Sequence, residues 1–192
     1  MDNPPNSEKG KIFVVSAPSG AGKTTLVKEV RRLFPNLSYS VSHTTRPPRK
    51  GEQNGTDYHF ISKSEFELGI QGGTWLEWAK VHDYYYGTSL DFAMKVIDHG
   101  GHLLLEIDVQ GAKQVKASYN DAVTVFIMPP SIEALEQRLR HRGTDSEAVI
   151  QKRLKNAELE IAQKNFYQYV VVNDNLEQAQ QEILTLFKQE LS

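Results

Sequence analysis

The chain has 192 residues, 39% of them hydrophobic and 24% charged, with a formal charge of −2 and no cysteine. That length suits one compact domain with a substantial core, the small net charge argues against a broad nucleic-acid surface, and no apolar run is long enough to span a bilayer. Without cysteine there are no disulfides, zinc–thiolate sites or cysteine nucleophiles, which fits a reducing compartment such as the cytoplasm.

The opening MDNPPNSEKG has proline, asparagine and charge but no apolar signal core, so residues 1–10 read as a flexible tail before a single domain over 11–192. KIFVV is a short apolar strand, and TTLVKEVRRLF is a helix with Leu26, Val30, Leu33 and Phe34 on one stripe. Residues 40–90, rich in Thr, Tyr, Gly and Arg, read as a small β-rich insertion whose Asn54-Gly55 pair suits a tight hairpin turn. HLLLEID and AVTVFIM are further strands, of the kind buried on both faces of a parallel sheet. IEALEQRL follows as a helix carrying Ile132, Leu135 and Leu139 on one side. Residues 138–153 gather Arg138, Arg140, Arg142 and Arg153 about a hinge candidate, Gly143, with a helix start at Asp145 or Ser146, and read as a basic flap. YVVV is the last strand, and Ile183, Leu184, Phe187 and Leu191 align on the closing helix. Strand and helix alternate through 11–39, 91–137 and 154–192, which predicts an α/β core: a doubly wound parallel sheet with helices on both faces.

Between the first strand and first helix stand Ala17, Pro18, Ser19, Gly20, Ala21, Gly22, Lys23, Thr24 and Thr25, the context a phosphate-binding loop requires. Glycines let successive backbone N–H groups turn inward onto phosphate oxygens, and the helix N-terminus adds its positive end. Lys23 would reach the β- and γ-phosphates of a nucleotide, and the Thr24 hydroxyl would help hold Mg²⁺. The plainer alternative is a strand–loop–helix turn with a solvated lysine. Ala17 stands where the pattern usually has its first glycine, a replacement that is tolerated unless the position demands positive φ.

A phosphate loop alone allows GTPases, ATPases and kinases. DVQG at 108–111 matches a GTPase element, yet no NKxD reads guanine in the GTPase manner. Asp108 ends a buried strand, where it could orient Mg²⁺ or its waters; the alternative is an N-cap for the next helix. In the insertion, Arg46 and Arg49 flank two prolines and precede Tyr58, so two guanidinium forks and a phenol could clamp a second phosphate group. Alone, such arginines would more often be solvated.

From about Lys11 to the C-terminus the chain resembles guanylate kinases: SAPSGAGKTTL, SVSHTTRPPRKGEQNGTDYHF, WLEWAKVHDYYYGTS, LLLEIDVQGA, RLRHRGTDS and VVVND occur in the family's order and spacing. The resemblance implies a P-loop kinase core, a GMP-binding insertion over 40–90 and a helical lid over 138–153, with γ-phosphoryl transfer from Mg-ATP to GMP and to dGMP. It assigns Ser42, Glu77, Tyr86 and Thr88 to GMP, with Asp108 counted in the same site and Arg46, Arg49 and Tyr58 on the GMP phosphate. It assigns Arg138, Arg142 and Arg153 to the transferring phosphoryl group, and Asn173 to the adenine side. Lys23, Arg46 and these lid arginines form the expected catalytic set; Thr24 and Asp108 are the expected metal contacts. Chemistry supports Glu77, because guanine presents adjacent N1–H and N2–H₂ donors that one carboxylate accepts, whereas adenine presents the opposite pattern. Glu106 departs from the family's usual aspartate, and its role stays open.

The rival from another class is a guanylate-kinase-like binding module, but those typically lack an intact phosphate loop or the flap arginines. A kinase for another nucleoside monophosphate is the remaining alternative, and Glu77 argues against it. Partners expected are the small molecules ATP and GMP, without nucleic acid or membrane, in a monomer or a homo-oligomer.

Overall fold

Strands begin where apolar residues run without a break. In the computed structural model, which describes residues 10–81, 83–141, 143 and 145–192, β1 (Ile12–Ser16) is buried at every position and leads toward α1 (Lys23–Leu33). Short strands β2 (Ser38–Tyr39), β3 (His43–Thr44) and β4 (His59–Phe60) follow, then α2 (Lys63–Gln71), β5 (Trp75–Val81), β6 (Tyr84–Ser89) and α3 (Leu90–Asp98). The order closes with β7 (Leu103–Glu106), α4 (Val109–Ser118), β8 (Val123–Met128), α5 (Ile132–His141), α6 (Glu147–Ile161), β9 (Tyr169–Val172) and α7 (Leu176–Glu190).

Two compact units divide the chain, one comprising the chain up to Val14 with Asn36–Ala122, the other Val15–Pro35 with Val123–Ser192. In the first, β2, β7 and β1 are neighbours in that order, and β2 pairs with β7 in parallel, Ser38 opposite Leu103. Leu103, Leu104 and Leu105 are all fully buried, as strands covered on both faces must be. The same unit holds a four-stranded sheet of order β4-β3-β6-β5. In the second unit β8 and β9 pair in parallel, Val125 opposite Tyr169 and Met128 opposite Val172. There α5 and α6 share a core of Leu135, Leu139, Ile150, Leu154 and Ala157. Parallel strands joined through helices are the α/β architecture that the alternation predicts.

Four local expectations change. Asn54-Gly55 makes no hairpin: β3 and β4 run parallel, Asn54 bridges Tyr58 in parallel, and the Asn54 carboxamide accepts the Phe60 N–H at 2.9 Å. The asparagine organises a loop by bonding the backbone ahead of it, as Asn side chains do in turns. The hairpin of this region is β5–β6, which turns beside Asp83, a residue at φ 72°. Secondly, residues 63–71 are helical inside a segment read as β-rich. Ser62 Oγ accepts the Glu65 N–H while Glu65 accepts the Ser62 N–H, a reciprocal cap that SKSE announces. Thirdly, Leu33 is 45% exposed, because burial of Val27 beside Leu26 and Val30 swings the inward stripe of α1 away from it. Fourthly, the inward face of α7 is Ala179, Ile183, Leu186 and Phe187, with Leu184 and Leu191 only half-buried.

Phe66 is the pillar under the four-stranded sheet. It is fully buried on α2, stacked at 4.4 Å on Trp75 of β5 and at 5.1 Å on Tyr85 of β6. Trp75 in turn donates its indole N–H to the Phe66 carbonyl at 3.2 Å. Replacing Phe66 with Ala should lower unfolding free energy by about 3–5 kcal/mol in a urea titration, the cost of an unfilled aromatic cavity. A loss below about 1 kcal/mol would mean that α2 does not support this sheet.

Candidate active site

The phosphate loop takes its shape from two glycines. Gly20 and Gly22 have φ of 97° and 95°, and a Cβ on Gly22 would lie 2.2 Å from Asn173 Nδ2. Asp83 is the only non-glycine at positive φ among the described residues, so Ala17 sits in an ordinary conformation and the departure at that position is harmless. The Ala21 N–H returns to the Pro18 carbonyl at 3.1 Å, curling the loop before α1. Lys23 opens the helix and Thr24 and Thr25 follow it, exposed. The helix start has no side-chain cap and no acidic residue in its first turn, which leaves its positive end to an anion.

In the same unit, side chains far off in sequence converge on this loop. Asn173, 6% exposed, donates to the Ala21 carbonyl at 2.8 Å, and its own carbonyl accepts Arg138 Nη2 at 2.8 Å. Arg153 pairs with Asp145 through one nitrogen and reaches Ser19 Oγ at 3.0 Å with the other. Of the three lid arginines expected at the site, Arg153 touches the loop at Ser19, and Arg138 is linked to it through Asn173. Arg142 lies outside the described residues. Arg140 instead bridges Glu136 and Glu147, tying α5 to α6 across Gly143, which takes φ 64°.

The other unit holds the residues expected to bind GMP. Arg46 is 9% exposed, and its Nη2 lies 2.8 and 3.0 Å from the two Glu52 oxygens while Nη1 donates to the Pro47 carbonyl. Its guanidinium lies 5.4 Å from the Tyr58 ring centroid, and the Tyr58 and Tyr86 rings meet edge-on at 5.9 Å. Burial would lower the Arg46 pKa, but the Glu52 carboxylate and the Tyr86 phenol outweigh it and raise it. Glu52 also accepts the Arg49 N–H at 2.7 Å, so one carboxylate organises both arginines. The Arg49 residue is exposed, and Ser42 is half-buried with its carbonyl bound to the His59 N–H. Burial raises the Tyr58 pKa.

Glu77 is 3% exposed on β5, and Thr88 of β6 donates to its Oε1 at 2.6 Å. A β-bulge makes this pair. Trp75 pairs with Ser89, but the register then slips by one so that Glu77 faces Thr88 rather than Gly87. Asp108 caps α4, accepting the Gly111 N–H at 2.9 Å, so the capping alternative describes its geometry. Gln110 donates to its other oxygen at 3.1 Å. Burial, and secondly the Asp108 charge, push the Glu77 pKa up to about 7 against the pull of the Thr88 hydroxyl. Glu106 accepts the Tyr39 hydroxyl at 3.3 Å. Sequence reasoning missed Glu52, legible as a carboxylate three residues after Arg49, and Asp145 as the partner of Arg153.

A carboxyl whose pKa rises on folding favours folding fully below its ordinary pKa, here 4.5, and loses that advantage as pH climbs through about 7. Glu77→Gln should therefore gain stability relative to the parent between pH 5 and 8, by up to a few kcal/mol. Paired thermal melts across that window measure it, and a difference independent of pH would mean that Glu77 ionises without penalty.

A family profile described as guanylate kinase matches residues 9–190. The guanylate kinase of Neisseria gonorrhoeae is 52% identical over 176 residues, 92% of this chain and 86% of that protein. That of Synechococcus sp. is 47% identical over 182 residues, 95% and 84% of the two chains. The crystal structure of guanylate kinase from Anaplasma phagocytophilum superposes with a TM-score of 0.76 at 35% identity, covering 95% of this chain and 87% of that one. A profile spanning nearly every residue, together with relatives near half identity over most of both lengths, establishes that this chain belongs to the guanylate kinase family.

Proposed function

We propose how the residues divide the reaction this chain catalyses, transfer of the γ-phosphoryl group of ATP to GMP to give ADP and GDP. The observation that carries the acceptor side is the buried Glu77 carboxylate, bonded to Thr88 and close enough to Asp108 to feel its charge. A desolvated carboxylate is stabilised by N–H donors, and guanine offers two side by side at N1 and N2. Adenine would turn the acceptor N1 toward it and leave the charge unpaired. Ser42 and Thr88 complete base recognition at O6, and Tyr86 walls the site. Arg46, Arg49 and Tyr58 hold the GMP phosphate, with Arg46 already oriented by Glu52.

On the donor side the loop from Ala17 through Thr25 cradles the ATP phosphates with backbone N–H groups other than those of Ala21 and Thr25, which bond the Pro18 and Gly22 carbonyls, and Lys23 reaches the β- and γ-groups. Asn173 lies on the adenine side while bracing the loop through Ala21. Arg138, Arg153 and Arg142 gather charge on the transferring group, the first two exchanging Asn173 and Asp145 for phosphate oxygens. The GMP phosphate has a second pKa near ~6, so the acceptor is an anion that needs little help from a base. The Thr24 hydroxyl, exposed at the head of α1, and the Asp108 carboxylate are hard oxygen donors that suit Mg²⁺ arriving with ATP. Such an ion would offset negative charge on the nucleotide phosphates when bound. dGMP, which presents the same base and phosphate to these residues, is assigned as a second acceptor. A cytoplasmic setting, where these nucleotides are made and used, belongs to the same reading.

ADP formation from Mg-ATP, measured with no acceptor and then with GMP, dGMP, AMP, UMP, CMP and dTMP, tests the base assignment. Turnover should appear only with GMP and dGMP, with GDP or dGDP accumulating in step; phosphorylation of AMP would sink the role of Glu77. Lys23→Ala should cut kcat by at least about a hundredfold, in line with loss of a charge-stabilising group, while circular dichroism stays unchanged. Undiminished turnover in that variant would remove Lys23 from the mechanism.

A further inference from the structure

β5 is the outer strand of its sheet, so among the described residues one of its edges has no neighbouring strand. At Trp78 that edge is covered by one side chain. Gln114 Oε1 accepts the Trp78 N–H at 3.1 Å, and Gln114 Nε2 donates to the Trp78 carbonyl at 2.7 Å. The amide reproduces the pair of bonds that a further strand would supply. It acts one residue beyond Glu77, in a strand whose ladder is already broken by the bulge before Glu77.

Gln114 belongs to α4, the helix that Asp108 caps. The clamp therefore ties the strand bearing one carboxylate to the helix headed by the other. Contact along this seam is close: a Cβ on Gly111 would fall 2.2 Å from Glu77 Oε2 and 2.9 Å from its Cδ. Helix and carboxylate have no slack in that direction, while the edge strand could still slide or peel the other way. The Gln114 amide, bonded to both polar groups of the Trp78 backbone on that edge, opposes this movement. We infer that Gln114 is a positioning residue for base choice: by fastening β5 to α4 it sets the spacing of Glu77 and Asp108 that guanine must match, without touching the nucleotide itself. The inference rests on the assignment of Glu77 to guanine made above.

The test compares Gln114→Met, close in volume but without the two amide bonds, and Gln114→Glu, which keeps the acceptor and loses the donor. GMP and IMP serve as acceptors, since IMP lacks the 2-amino group. For Gln114→Met, KM for GMP should rise about tenfold, the effect of losing a hydrogen-bonded alignment, while KM for ATP and kcat at saturating GMP stay within about twofold. The preference for GMP over IMP should narrow by about fivefold, with Gln114→Glu falling between parent and Met variant. A role in stability alone would lower the melting temperature and the active fraction, leaving KM for GMP and the GMP-to-IMP ratio unmoved, and that result overturns the inference. Should the Met variant fail to fold, the same ratio in Gln114→Glu decides it. A parent enzyme that does not prefer GMP to IMP would instead overturn the assignment of Glu77, and the inference with it.

Discussion

A carboxylate taken out of water on an edge strand is the constraint around which the acceptor unit is built. Glu77 is 3% exposed and shares its surroundings with the charge of Asp108, so folding holds its ionised form at a disadvantage. Every neighbouring feature serves to keep it there. The bulge turns it to Thr88, Gly111 leaves room for its oxygen, and Phe66 packs on the two strands that present it. On the proposed assignment of Glu77 to guanine, the N1–H and N2–H₂ donors of the base relieve that strain. An apolar or solvated side chain in this position would bind a base with less penalty and less discrimination.

The donor unit meets the opposite charge with the same logic. Arg138 is held by the Asn173 carbonyl, and Arg153 by the Ser19 hydroxyl of the loop and one aspartate. The carbonyl that holds Arg138 fixes the direction of its guanidinium without neutralising it, whereas Arg153 shares its charge with Asp145. Arg140 is different. Glu136 on its own helix and Glu147 on α6 both take up its charge, and the second pair makes it a strut between α5 and α6.

What was legible in the sequence was local. SAPSGAGKTT announces its turn because two positive-φ glycines and a helix start occupy adjacent positions, and the buried strands announce themselves by unbroken apolar runs. The family motifs supplied Glu77, Arg46 and the lid arginines, none of which composition could have picked out. Asn54-Gly55 misled because a turn dipeptide fixes a bend but says nothing about whether the flanking strands run parallel. The helix α2 was overlooked although its cap was written plainly at Ser62 and Glu65, because the surrounding tyrosines and threonines favour strand. Gln114 with Trp78, 36 residues apart, and Asn173 with Ala21, 152 apart, left no signal, since nothing in a sequence pattern marks a contact that only the finished fold creates.

Glu52 shows why such contacts matter to chemistry as well as to packing. An acidic residue beside a phosphate site repels the ligand, and a site selected for affinity alone would omit it. Yet Arg46 without a partner would be a mobile, partly buried cation, and ordering its side chain would fall to the moment of binding. Glu52 takes that ordering into the folded state. It bonds Nη2 of the Arg46 fork and the backbone of Arg49, and its side chain, 19% exposed, keeps enough contact with water to soften its repulsion. Orientation of Arg46 is then complete before GMP arrives, at the expense of some charge. For a reaction governed by the alignment of two phosphates, alignment is the larger gain.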